Sequence, residues 1–141
     1  MLIYPMAIIK IKPTLNFTLL CDDVRQEIGG KYSLMGLFEN ISSSAFPAIH
    51  PRFAIMNEWS GGKGDFMITI RLLAPDQEQV LSVSETKISL FNEKQRHRDI
   101  SIRNNTTFSV PGTYWIETRV DNERVGLTPL VVQLVNQQMV H

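Results

Sequence analysis

Along most of this chain apolar and polar residues alternate with a period of two, the rhythm of strands buried on one face. Phe66, Ile68, Ile70 and Leu72 line one side of a run whose other side carries Thr69 and Arg71. Leu15, Phe17, Leu19 and Cys21 alternate with Asn16, Thr18 and Leu20, and Tyr32, Leu34, Gly36 and Phe38 share a face. Phe53, Ile55 and Trp59 oppose Glu58. Tyr114, Ile116, Thr118 and Val120 alternate with Trp115, Glu117 and Arg119, so the last three point outward if the first set faces the core. Between Gln79 and Phe91 the phase changes, with Leu81 and Val83 on one parity and Ile88 and Leu90 on the other. That predicts a bulge near Glu85 to Lys87, or a strand crossing between sheets. The last run, Arg124 to Val135, is apolar on both faces. It must lie centrally in its sheet, or be covered by the N-terminal segment or another subunit. Pro129 within it predicts an edge or a bulge.

Turn chemistry separates these runs. Gly29-Gly30, Ser60 to Gly64, Ala74 to Gln77, Pro111-Gly112 and Asp121-Asn122 each join residues that accept positive φ or pre-set a turn. No stretch sustains a helical stripe, and the best short-helix candidate is a single turn at Asp23 to Ile28. Seven or eight short strands with turn clusters at this spacing predict an all-β fold: a two-sheet antiparallel β-sandwich, immunoglobulin-like. A small β-barrel is the alternative, since it gives the same alternation.

The chain has 141 residues, a single-domain length, with 43% hydrophobic and 20% charged residues. Its 14 basic residues equal its 14 acidic ones, so no global field draws it to nucleic acid or to a membrane surface. A single cysteine, Cys21, allows no intramolecular disulfide, which fits a reducing, cytoplasmic setting. Met1 to Ile11 is apolar but broken by Pro5 and closed by Lys10 and Lys12. It lacks the charge order of a signal peptide and the length to span a bilayer. The expected organisation is therefore an N-terminal arm or edge strand over 1–13, then a β-sandwich domain over 14–141.

The segment Cys21, Asp22, Asp23, Val24, Arg25, then Glu27, Gly30, Lys31, Ser33, Leu34, Gly36 and Phe38 resembles the N-terminal signature of an uncharacterised family of small bacterial β-sandwich proteins. The stretch Pro111 to Gly126 resembles a strand-turn-strand unit found there and in immunoglobulin-like sandwiches. The resemblance spans most of Leu15 to Val132 and implies the fold. It implies no catalytic residues.

Candidate chemistry is sparse. Asp22, Asp23 and Glu27 form the densest carboxylate group, but Arg25 and Lys31 share the same connection and no calcium-loop spacing is present. Turn chemistry is the expected role, one Asp accepting backbone N–H bonds and the other pairing with Arg25 or Lys31. His50, His97 and His141 are dispersed. No metal, no cofactor and no catalytic residue is expected. The leading reading is a non-enzymatic interaction module that binds a protein partner or self-associates. A face contact would use Trp115, Glu117 and Arg119, and a polar loop site Asp22, Asp23 and Arg25. The alternatives are a small-molecule or carbohydrate module using Trp59, Tyr114 or Trp115, and a metal-dependent hydrolase built on Asp22, Asp23 and a histidine.

Overall fold

The computed structural model describes residues 9–136, so most of the expected 1–13 arm lies outside the described residues. These residues form the strands β1 (Thr14–Gln26), β2 (Tyr32–Leu37), β3 (Asn40–Ser43), β4 (Ala48–Ser60), β5 (Gly64–Leu73), β6 (Val80–Leu90), β7 (His97–Phe108), β8 (Gly112–Val120) and β9 (Glu123–Leu134). They make a four-stranded sheet in the order β2-β1-β4-β7 and a five-stranded sheet in the order β3-β9-β8-β5-β6. The fold is all-β, as the alternation predicts, and one of the two sheets is curled like half a barrel. Two details differ from expectation: there are nine strands among the described residues, and β3 joins β9 in parallel. The β9-β8-β5-β6 order facing the β4–β7 pair is the G-F-C-C′ and B-E arrangement of immunoglobulin sandwiches. No helix of the described residues is long and apolar enough to cross a membrane.

The core lies between the sheets. Phe53, Ile55 and Trp59 from β4 meet Phe66, Ile68, Ile70 and Leu72 from β5 and Tyr114, Ile116 and Val120 from β8. Each such side chain contributes roughly 1.5–3 kcal/mol on burial. Tyr114 also fixes the β7–β8 corner, its hydroxyl donating to the Val110 carbonyl at 2.8 Å while its ring packs edge-on against Phe108.

Several expectations are corrected. Asp23 to Ile28 is not a helical turn: β1 stays extended through Gln26, and the turn occupies the residues after it. On β1 the buried inward residue is Leu20, paired with Ile55, whereas Phe17 and Leu19 lie on the opposite parity against Glu58 and Met56. A register shift between Leu15 and Phe17 causes the change. β6 has no bulge near Glu85 to Lys87, because its pairing with β5 runs unbroken from Gly64↔Leu90 to Leu72↔Ser82. The phase change arises because the inward positions pass from serine (Ser82, Ser84) to apolar (Ile88, Leu90) along one continuous face.

β9 is an inner strand between β3 and β8, which explains its two apolar faces. Pro129 is tolerated because β3 pairs only with Val131 to Leu134, leaving that side of the proline without a ladder partner.

Candidate binding face on the five-stranded sheet

The cross-strand register of β5, β8 and β9 assembles the face. Arg71 lies opposite Glu117, Leu73 opposite Trp115, and Trp115 in turn opposite Pro129. A register shift between Thr118 and Arg119 adds one residue to β9. Regular pairing would set Arg124 opposite Val120, on the core side. The bulge sets it opposite Arg119 instead, on the outer side.

Three guanidiniums thereby converge on one carboxylate. Arg71 Nε donates to Glu117 Oε1 at 2.7 Å, and Arg119 donates through Nε at 2.7 Å and Nη2 at 3.3 Å. Arg124 donates to Glu117 Oε2 through Nε at 2.8 Å and Nη2 at 2.6 Å. The Glu117 side chain is 0% exposed, whereas those of Arg71, Arg119 and Arg124 are 27%, 31% and 44% exposed. Burial pushes the Glu117 carboxyl up, but the hydrogen bonds from Arg119, Arg71 and Arg124 outweigh it and hold the pKa at about 2. With one anion under three cations, the cluster carries a net charge of two positive units at its surface. Glu85, on the neighbouring β6, makes no salt bridge to it. Trp115 is half-buried beside the cluster.

The alternation thus placed Trp115, Glu117 and Arg119 on the correct side of β8. Glu117, however, is not free to meet a partner, because its oxygens are consumed by arginines. Arg71 and Arg124 were missed. Arg71 has the outward parity of β5, but only the strand order brings it to Glu117, and Arg124 reaches the face only through the bulge.

The second predicted set, Asp22, Asp23 and Arg25, lies on β1 in the other sheet and does not join the first. These residues are strand, not turn. Asp23 accepts from the Val24 N–H at 2.9 Å and pairs with Arg52 at 3.0 Å, rather than with Arg25 or Lys31. Those contacts, the Val24 N–H first, lower its pKa. Asp22 lies across Gly36, where an added Cβ would collide with its carboxylate. Arg25 is exposed opposite Ser33.

His50 packs against the Phe38 and Phe53 rings, which also meet each other. No group of three or more His, Cys, Asp and Glu side chains among the described residues could hold a metal ion. Trp59 and Tyr114 are buried in the core, which removes both as sugar-stacking platforms.

Two further charged residues, absent from the sequence-based list, face the interior of β7. Asp99 accepts from Trp59 Nε1 at 2.5 Å and from Asn57 Nδ2 at 3.5 Å. Burial raises its pKa to about 6 against those two hydrogen bonds. Arg103 is 5% exposed and reaches no carboxylate among the described residues.

A family model matches residues 16–133, from β1 into β9. The chain belongs to DUF6941, a family of unknown function. The matched DUF6941 span holds all four residues of the arginine–glutamate cluster as well as Asp99 and Arg103. It begins beyond the expected 1–13 arm. No curated protein matches the chain.

Proposed function

We propose that this chain is a non-enzymatic binding module that docks a protein partner on the outer face of its five-stranded sheet. The observation that carries the reading is the buried Glu117 carboxylate beneath three partly exposed guanidiniums. A carboxylate so enclosed holds the arginine side chains in fixed directions, and their unused N–H groups then face solvent pre-organised. Such a surface suits the carboxylates of an acidic protein segment, which an arginine fork binds in bidentate fashion. Trp115 supplies an aromatic anchor beside the charge. A symmetric dimer through this same face would set two net-positive clusters against each other, so charge favours a different, acidic partner over a second copy.

The test is a nitrogen-15 NMR titration with poly-L-glutamate at physiological salt, following the arginine Nε–H and tryptophan indole signals. Arg71, Arg119, Arg124 and Trp115 should shift saturably while the core-bound Trp59 indole stays fixed, and the paired charge reversal R119E/R124E should abolish the shifts of Arg71 and Trp115. Shifts confined to Arg25 and Arg52, or none at all, would rule the reading out.

A further inference from the structure

We infer that the open seam between β6 and β7 is a binding site for a small oxyanion, a carboxylate or a phosphate group, held by Arg103 with Ser82. The two strands are the outer edges of the two sheets and no ladder joins them. Arg103 crosses the gap from β7. Its Nε donates to Ser101 Oγ at 3.0 Å, Nη1 to Ser82 Oγ at 2.6 Å, and Nη2 to the Ile70 carbonyl and to Ser84 Oγ, both at 2.9 Å.

Every acceptor is neutral. A guanidinium cannot shed its proton at any ordinary pH, so the molecule carries a buried cation with no counter-charge. Asp99 shares its strand and face but lies four residues away, about 13 Å along a strand, and is occupied by Trp59 and Asn57.

The seam also contains room. A shallow cavity of about 240 Å³ is lined by the polar Ser82, Ser84, Arg103, Asn104 and Thr106 together with the aliphatic Val83 and Ile102. No lining residue is acidic, so the only formal charge at the cavity is positive. Four of the five Arg103 N–H groups are used, leaving one on Nη1. Ser82 accepts from Arg103 and so keeps its own hydroxyl proton to donate outward. Ser84 Oγ shares a hydrogen bond with Ser101 Oγ at 3.0 Å, so an anion seated there would receive a charge-assisted N–H bond from Arg103 and a hydroxyl bond from Ser82, and it would supply the negative charge that the seam lacks.

This site is on a different part of the molecule from the arginine–glutamate face, and the two can fail independently. The experiment titrates the nitrogen-15 labelled full chain with sodium phosphate and, separately, sodium acetate, at constant ionic strength made up with sodium chloride. The Arg103 Nε–H signal should shift saturably, with half-saturation on the order of millimolar. S82A should weaken the binding at least fivefold. R103K, which keeps the charge but loses the fork and the guanidinium signal, should weaken it more than tenfold as read from the backbone amide signals of Ser82 and Ser84, followed in all three proteins. A tighter phosphate response marks a phosphomonoester as the natural ligand, and a tighter acetate response marks a carboxylate. The inference is overturned if neither anion moves Arg103 saturably, if only Arg71, Arg119 and Arg124 respond, or if S82A and R103K bind as well as the wild type.

Discussion

Replacing Glu117 by Gln tests the physical claim beneath the proposed face. The substitution keeps the shape of the side chain, removes its charge and turns an amide towards the guanidiniums. Five hydrogen bonds from three arginines now end on that carboxylate. Its pKa falls from 4.5 to about 2, a differential stabilisation of the charged form of about 3 kcal/mol. The arginines are about a quarter to nearly half exposed, so water screens part of this and about 2 kcal/mol remains at neutral pH. Breaking a fully buried ion pair costs more, roughly 3–5 kcal/mol. Urea unfolding followed by tryptophan fluorescence at pH 7 should therefore show E117Q with a midpoint lower by about 1 M and an unchanged slope.

The pH dependence supplies the sign. A depressed carboxyl pKa contributes stability above the unfolded value of 4.5, and that contribution is lost as pH falls towards about 2. The difference between wild type and E117Q should thus shrink steadily below pH 4.5. A deficit under about 0.5 kcal/mol at pH 7 would refute the reasoning, because exposed pairs reach that size unaided. So would a deficit that does not change with acid.

Asp99 carries the opposite sign. Its folded pKa of about 6 lies above the ordinary 3.8, so its contribution is full below 3.8 and is lost as pH rises through 6, a change of about 3 kcal/mol. D99N keeps an acceptor for the Trp59 indole and should flatten the stability profile between those pH values; parallel profiles for the two proteins would contradict the assignment. At Gly36, φ is +70° and the Asp22 carboxylate occupies the space a Cβ would need, so G36A should cost about 1–2 kcal/mol by thermal unfolding. D22A should recover part of that loss, and a fully additive double mutant would show that the collision is not the cause.

Sequence reasoning succeeded where one face of a strand is uniformly apolar and failed where the interior is polar. The β5 run reads correctly because Phe66, Ile68, Ile70 and Leu72 all enter the core. On β6 the same logic expected a bulge or a sheet crossing between the Leu81–Val83 and Ile88–Leu90 parities, because two of the inward positions there are serines that bond Arg103. β7 hides its orientation for the same reason, since Asp99, Ser101 and Arg103 are its buried parity. Binary patterning treats charge as outward, and it cannot see that a guanidinium has found hydroxyl partners across a gap.

The binding face was half legible. Parity within β8 gave Trp115, Glu117 and Arg119, but the neighbours that define their chemistry depend on strand order and register. Neither can be derived from one strand at a time. Pro129 was a true signal read too broadly: its missing N–H marks the stretch of β9 that β3 does not reach, although the strand is internal.

The irregularity beside Thr118 gives this surface an unusual route to change. Smoothing it with every residue kept, so that Val125 rather than Arg124 stood opposite Arg119, would turn Arg124 inward and subtract a cation from the exterior. A slip of one position at the end of a single strand would thus reset the charge of this exterior with no change in composition.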